Sequence, residues 1–568
     1  MDNQNVSWLP HLKGAVPTAG YGNRLSTYLI ALEAWRRGIG VTFFALDNIQ
    51  NKLLIRYSLK NNNSEHIFDS SNGDLTSEEA NFISENKDVT KEYLSTAKVP
   101  VPEGKRFAPT TENVEIINYA ATLGYPVVIK PRSEKTGKGV FANISNERSF
   151  KEILLHVRNE LNYKDVIVEK HIKGEEYRIL MIKGEILGAV NRVPANIIGD
   201  GVSSVEELIT QKNDSKKKNP NLSKNLIDID KEVLKLIEDE GYELNSILDK
   251  GKRLFLRNKS NISMGGDPID VTEKLTPEIK EIAIKAFNAI PNLAFCGLDM
   301  IISPSGNTGT VIEINTKPAL GPHVFPVDGY ARDVISPIVD YYFPETRNVE
   351  RSTLYFDFNQ VISPLKKRLA KEVIVRPISA GKLYAKEFII SGEVKNSKYK
   401  NWIKRQVLQN GCHGFIKDSK GDKIILVVAG NSQNDIDNLK TNFHQNPDNT
   451  IVNEVIENEY SGNIKVGFQI KSLPKTKIIN RLEEKLNSEI RKKKNYEQKL
   501  KDEKKEKEKA KIKLLEYKSL LVEVRNQNKK IIEEKNIIQS KYHSLRRSRS
   551  WRYTKPIRSV LKFIDIKR

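Results

Sequence analysis

Three oxygen-bearing side chains lie along two apolar runs: Asp299 in LDMII (298–302), Glu313 in TVIEI (310–314), and Asn315 directly after it. Side chains alternate along a strand, so Glu313 and Asn315 share a face. Two carboxylates and an amide oxygen suit Mg²⁺, which takes oxygen donors and completes its shell with phosphate and water. Metal ions that bridge phosphates neutralise charge as a phosphoryl group moves. Upstream, Lys130 closes the apolar run YPVVIK, and the loop after it, SEKTGKGV, carries Gly137 and Gly139. Those glycines let backbone N–H groups approach phosphate oxygens, although the loop is not a Walker sequence. Arg257, between LFL and NKSNISMGGD, offers the planar fork that grips a tetrahedral anion. Each feature alone also reads blandly, the loop as a turn and the acids as solvated strand ends. As a set they are the parts needed to hold ATP and activate a carboxylate, because phosphate leaves more readily than hydroxide.

Such groups need strands and helices to present them. Residues 24–47 read as a helix followed by a strand, the αβ alternation of a small doubly wound unit. VPVPEG, from Val99, marks a turn before a helix and the YPVVIKP strand. Further strands fall at 166–169, 178–182, 186–190, 298–302 and 310–314, with helices between, an α/β pattern. The polar run QKNDSKKKNPNLSKN (211–225) reads as an exposed loop.

The strings EEYRILMIKGEILGAVNRVPANIIGDG (175–201), LFLRNKSNISMGGDPIDVT (254–272) and GLDMII with VIEINTKPAL resemble the ATP-grasp module of cyanophycin synthetases and bifunctional glutathione synthetases. ENKDVTKEYLSTAKVPVPEG (85–104) is similar to the entry of that module. The resemblance implies an ATP-grasp fold and an ATP-dependent carboxylate–amine ligase working through an acyl-phosphate. It places Lys87 and Lys130 at the ATP phosphates, with the loop from Ser133 through Gly137, Lys138 and Gly139 to Val140 closing over them. It puts Glu169, Lys170 and Ile172 at the adenine hinge and Glu176 at the ribose. Arg257 would stabilise the acyl-phosphate and the tetrahedral intermediate, while Asp299, Glu313 and Asn315 would hold two Mg²⁺ ions, with Mn²⁺ as a substitute. Arg178 and Arg192 are weaker substrate contacts. Lys317, after the metal residues, either reads an acidic substrate or is solvated. The portions that precede or follow the module in those families are absent, so neither glutathione nor cyanophycin synthesis is implied.

Residues 383–472 resemble an acylphosphatase domain, which implies a ferredoxin-like α+β sandwich. At the family's catalytic arginine and asparagine positions stand Lys400 and Asp418. A lysine lacks the bidentate fork and an aspartate repels a phosphate, so the expectation is a site without activity, with Trp402 and Phe415 in its core.

From Ile479 to Leu545 a spacing of three and four residues takes over, the seam of a long α-helical coiled coil, with Leu514, Leu521, Val524, Ile531 and Ile538 among its apolar positions. From Lys475 onward there are 31 Lys and Arg against 13 Asp and Glu, so a surplus of 18 of the net +21 sits in the last 94 residues. The basic, aromatic end (547–568) suits an anionic membrane surface, with nucleic acid a weaker alternative.

The expected division is an α/β pre-ATP-grasp region (1–84), the ATP-grasp domain (85–345), a linker (346–382), the acylphosphatase-like domain (383–472), the coiled coil (476–546) and the tail (547–568). A chain of 568 residues exceeds what one hydrophobic core holds. With two cysteines, no secretory start and no apolar run of about 20 residues, a cytoplasmic protein is expected, peripheral to the inner face of the membrane through its tail. The expected partners are small-molecule carboxylate and amine substrates and a second copy of the chain. Two other readings stay open, a nucleotide-binding scaffold organised by the coiled coil and an acylphosphatase.

Overall fold

Short connections decide the first sheet. Gly40–Asp47, Leu53–Lys60, Glu65–Asp69 and Asn72–Gly73 are joined by a few residues each, and parallel neighbours would need a crossover of a dozen or more. The strands therefore pair antiparallel in sequence order, beside the Leu25–Arg36 helix. The doubly wound reading of 24–47 gives way to this meander. The computed structural model describes residues 8–47, 53–132, 139–379, 381–444, 450–471, 474–554 and 556. It divides into two compact units, Met1–Lys471 and Ser472–Arg568.

The linker expected over 346–382 is packed structure. Glu372–Val375 adds a fifth strand to the first sheet, pairing antiparallel with Gly40–Asp47. The helix Phe358–Lys366 buries Phe358, Val361, Ile362 and Leu365 in the core that holds Tyr28 and Trp35. The cause is its apolar face at helical spacing, which can be hidden only against another element. The polar run 211–225 also departs from expectation, since its first part continues the helix Val205–Lys218. Lys212 and Lys216 of that helix pair with the buried Asp267, which gives a polar helix an interior anchor.

Two antiparallel sheets follow. A four-stranded one runs Gly104–Phe107, Val166–Lys170, Val127–Pro131, Phe141–Ile144. A five-stranded one runs Asp267–Asp270, Glu185–Val193, Glu175–Ile182, Phe295–Ile302, Gly309–Asn315. In the latter, period-two alternation sends Ile179, Met181, Leu298 and Met300 to one core and leaves Arg178 and Asp299 on the opposite face.

The strands Tyr384–Gly392, His413–Asp418, Lys423–Gly430 and Val452–Glu459 and the helices Ser397–Gln409 and Gln433–Asn442 form an α+β sandwich, with Phe468–Lys471 added parallel to His413–Asp418. Both faces of its sheet are buried. Ile416, Leu426 and Val428 pack with Tyr399 and Trp402, whereas Phe415, Val427 and Ala429 join the core of the N-terminal sheet. A short parallel pairing of Leu354–Tyr355 with Ile464–Lys465 ties the same regions. The second unit contains the 74-residue helix Pro474–Arg547, whose described side chains, Leu514, Leu521 and Ile538 among them, are exposed. Residues 555 and 557–568 of the expected tail lie outside the described residues.

Arg36 marks the strength of the seam between the sandwich and the N-terminal sheet. It is fully buried and donates to Leu354 O (2.8 Å), His11 O (2.7 Å) and Asn463 Oδ1 (2.8 Å). Asn463 in turn donates to Lys13 O at 2.9 Å. Asn463→Ala strands part of a buried guanidinium, so the unfolding free energy should fall by about 1–3 kcal/mol. Asn463→Asp keeps the acceptor and should lose less. Denaturant titration of both variants checks this, and an unchanged Asn463→Ala midpoint would refute the seam.

Candidate active site

The centre of the five-stranded sheet is a buried cluster of charge. Arg178 and Asp299 are cross-strand partners, and the guanidinium meets the carboxylate through Nε and Nη2. Gly297, two residues before Asp299, lets the arginine lie across the sheet, since a Cβ there would come 2.8 Å from Arg178 Cδ. Arg192, on the next strand, donates to Glu176 at 2.6 Å and to Asp299 at 3.2 Å. Burial pushes the Asp299 carboxyl up, but Arg178 and Arg192 more than offset it, so its pKa lies below the ordinary range. Burial opposes the charge on Arg178 too, yet Asp299 raises its pKa overall.

Asp299 and Glu313 are direct register partners, and Asn315 stands opposite Gly297. The expected metal residues are thus together on neighbouring strands. Glu313 is partly exposed and faces Lys87 at 3.8 Å. Asn315 Oδ1 accepts from the Lys317 amide at 2.8 Å. Lys317 is exposed, and its ammonium pairs with the equally exposed Asp69 of the N-terminal sheet at 2.7 Å.

The four-stranded sheet carries a second cluster. Glu169 is buried between two ammonium groups, Lys130 at 2.6 Å and Lys91 at 3.3 Å. Lys91 lies one turn beyond Lys87 on the helix Lys87–Thr96, and residues four apart sit about 5–6 Å from each other. That single turn therefore reaches both sheets. Asp88, on the same turn, holds Arg132 at 2.7 Å, just ahead of the phosphate-loop candidates. Ser133, Gly137 and Lys138 lie outside the described residues, whereas Gly139 and Val140 are described. Lys170 turns to the end of the Asn113–Leu123 helix, donating to Leu123 O and Gly124 O, and Ile172 follows in the partly buried segment after it.

Arg257 is not directed at the acids of the sheet. It is buried and forks onto Asp230 (2.7 and 2.9 Å) with Glu232 at 2.7 Å, and these partners raise its pKa against the effect of burial. Its loop still reaches the phosphate loop, since Lys259 donates to Val140 O at 2.9 Å.

Lys91, Lys259 and His323 were not among the sequence candidates. The i, i+4 spacing from Lys87 is the signal that could have found Lys91. His323 has no such signal. It is fully buried, neither ring nitrogen has a hydrogen-bond partner, and burial followed by Arg178 pushes its pKa down to about 3. In the acylphosphatase-like sandwich, Lys400 and Asp418 pair with each other at 2.6 Å.

Residues 104–247 match the family model for the ATP-grasp domain of prokaryotic glutathione synthetase. This part of the chain is an ATP-grasp domain. Residues 386–470 match the acylphosphatase model, so an acylphosphatase domain follows the ATP-grasp domain. The chain is 33% identical over 330 residues to a glutathione biosynthesis bifunctional protein of Clostridium perfringens, covering 56% of this chain and 41% of the relative. It is 35% identical over 265 residues to a cyanophycin synthetase of Crocosphaera subtropica, covering 45% of this chain and 30% of the relative. The crystal structure of a bifunctional glutathione synthetase from Pasteurella multocida aligns at 30% identity with a TM-score of 0.41, covering 51% of this chain and 41% of that one. The chain thus spans about two fifths or less of the length of these relatives.

The buried cluster of the ATP-grasp domain gives a pH expectation. A carboxylate whose folded pKa is depressed contributes stability above its unfolded value of about 3.9, and that contribution is lost as pH falls through the folded pKa. Asp299→Asn should therefore lower stability at neutral pH and flatten the acid limb below pH about 4. Thermal unfolding across pH checks it, and parallel curves for the two proteins would contradict the assignment.

Proposed function

We propose that the chain is an ATP-dependent carboxylate–amine ligase that forms an amide or peptide bond through an acyl-phosphate. The observation that carries this reading is the helical turn from Lys87 to Lys91, which brings the Lys130–Glu169 pair and the Asp299–Glu313 strands to one site. Lys87, Lys91 and Lys130 receive the ATP phosphates, and the loop ending at Gly139 and Val140 covers them. Glu169 takes up the positive charge of Lys91 and Lys130 and orients both. Glu176 holds Arg192 toward the substrate side, and Arg178 keeps Asp299 ionised.

The oxygen donors of Asp299, Glu313 and Asn315 fit Mg²⁺ by their chemistry, and these residues would hold it. Bound Mg²⁺ supplies charge neutralisation on the phosphates. A substrate carboxylate oxygen attacks the γ-phosphorus and ADP leaves. The amine nitrogen then attacks the acyl carbon, phosphate leaves, and the amine gives up a proton. Arg257 reaches the intermediate by exchanging Asp230 and Glu232 for the developing anion.

An ADP-release screen of the full chain against amino acids, dipeptides and uronic acids, with mass spectrometry of products, tests this. Asp299→Ala or Glu313→Ala should lower turnover by about 10²-fold or more, and turnover that survives both changes would remove the metal assignment. The acylphosphatase domain is read as inactive because Lys400 and Asp418 satisfy each other. Acetyl phosphate given to the same chain should release no phosphate above background, and rapid release would reverse that reading.

The long helix is read as half of a homodimeric coiled coil. Its exposed Leu514, Leu521, Val524, Ile531 and Ile538 would each gain about 1.5–3 kcal/mol on full burial. Deleting 476–546 should convert a dimer to a monomer with the ligase active, as read by analytical ultracentrifugation. The basic tail is read as a contact for anionic lipid at the inner face of the membrane. No described helix is long and apolar enough to cross one. Vesicle binding should weaken steeply with ionic strength, and tighter binding to duplex DNA, or equal binding to neutral vesicles, would exclude the lipid reading.

A further inference from the structure

Three cations from distant segments converge in the first unit. Arg24 ends the turn Gly22–Arg24 that enters the Leu25–Arg36 helix. Lys366 ends the helix Phe358–Lys366. Lys224 follows the Val205–Lys218 helix by six residues. The stem of Lys224 lies against Gly22, where a Cβ would come 3.0 Å from its Cδ, and the Gly22 amide donates to Pro220 O at 2.9 Å. The helix of Lys366 packs against the turn Thr18–Gly20 just ahead of Arg24, and its Phe358 ring lies 5.1 Å from that of Tyr28, four residues past Arg24. Burial and then the charges of Arg24 and Lys224 lower the Lys366 pKa.

Among the described residues none of the three has an acidic partner or a hydrogen bond from its side chain. Arg24 is half-buried, and burial alone lowers its pKa. Elsewhere among the described residues the buried guanidiniums have acceptors, Arg178 in Asp299, Arg257 in Asp230, Arg37 in Glu33, and Arg36 in carbonyl and amide oxygens. Like charges gathered without a counter-charge raise the energy of the folded chain until an anion joins them.

The place of the trio gives the anion a meaning. Ser26, two residues past Arg24, accepts from the Leu320 amide at 3.0 Å. A Cβ on Gly321 would fall 2.8 Å from Leu25 Cδ2 and 2.4 Å from Oδ1 of Asn221, three residues before Lys224. Leu320 lies five residues beyond Asn315, so their Cα atoms are at most about 17 Å apart. The trio borders the loop that leaves the candidate reaction centre. We propose that Arg24, Lys224 and Lys366 form an anion-receiving site for a second carboxylate or phosphate group of the substrate, remote from the bond being formed. This deepens the ligase reading and rests on it. The substrate class is then a molecule with an anionic group at each end, rather than a simple monocarboxylate.

Calorimetric titration of the full chain with inorganic phosphate, and separately with glutarate, in the absence of nucleotide, tests the site. At least one anion should saturate it. Its affinity should fall about tenfold or more in Arg24→Gln/Lys224→Gln/Lys366→Gln and in Lys224→Gln/Lys366→Gln, which changes exposed residues only, and should persist in Lys130→Gln. Binding of phosphate alone identifies a phosphorylated substrate, of glutarate alone a second carboxylate, and of both a site that accepts either. No saturable binding, or affinities within about twofold of the unaltered chain in both trio variants, overturns the proposal. Because no ATP is present, a chain that binds through the trio yet releases no ADP keeps the site and loses the ligase reading. An active ligase whose trio variants bind normally does the reverse.

Discussion

One helical turn joins the two sheets that must face each other. Lys87 and Lys91, four residues apart, reach Glu313 on one sheet and Glu169 on the other. The two sheets have separate apolar cores, one with Ile129 and Val168 and one with Ile179 and Leu298. Their relation near the site thus leans on charge rather than on shared packing. The two ends of the link differ in stiffness. Glu169 is buried between two ammonium groups, and removing a partner from such a group costs about 3–5 kcal/mol. The Lys87–Glu313 contact is longer and partly exposed, so it contributes little and yields easily. The bridge is thus fixed at one end and loose at the other.

Charge pairing also explains Arg257. Its fork is occupied by Asp230 and Glu232, the N-cap and a first-turn residue of the Lys231–Asp239 helix, and those acids are themselves half-exposed. The pairing with two half-exposed carboxylates keeps the buried guanidinium charged.

The acylphosphatase domain pairs charge on one side and shares its core on the other. Lys400 and Asp418 close on each other at 2.6 Å. Meanwhile the opposite face of its sheet is given to the N-terminal core through Phe415, Val427 and Ala429. The run ILVVA in Lys423–Gly430 is apolar at every position because alternate residues enter different cores.

Local regularities of the sequence determined the strands, the acids of EIN on one face, the closing position of Lys130 and the long helix, because alternation and helical spacing are properties of neighbouring residues. Family strings added the order of the domains. Tertiary structure alone decided which charges meet: Arg178 with Asp299, Lys91 with Glu169, Arg257 with Asp230, Lys317 with Asp69. It also turned the polar 211–218 stretch into a helix anchored on Asp267, and made the expected linker the fifth strand of the first sheet. Partners separated by tens to hundreds of residues leave no periodic trace in either segment. A charge reads as solvated until the fold brings its counter-charge beside it, and burial then makes that pairing obligatory.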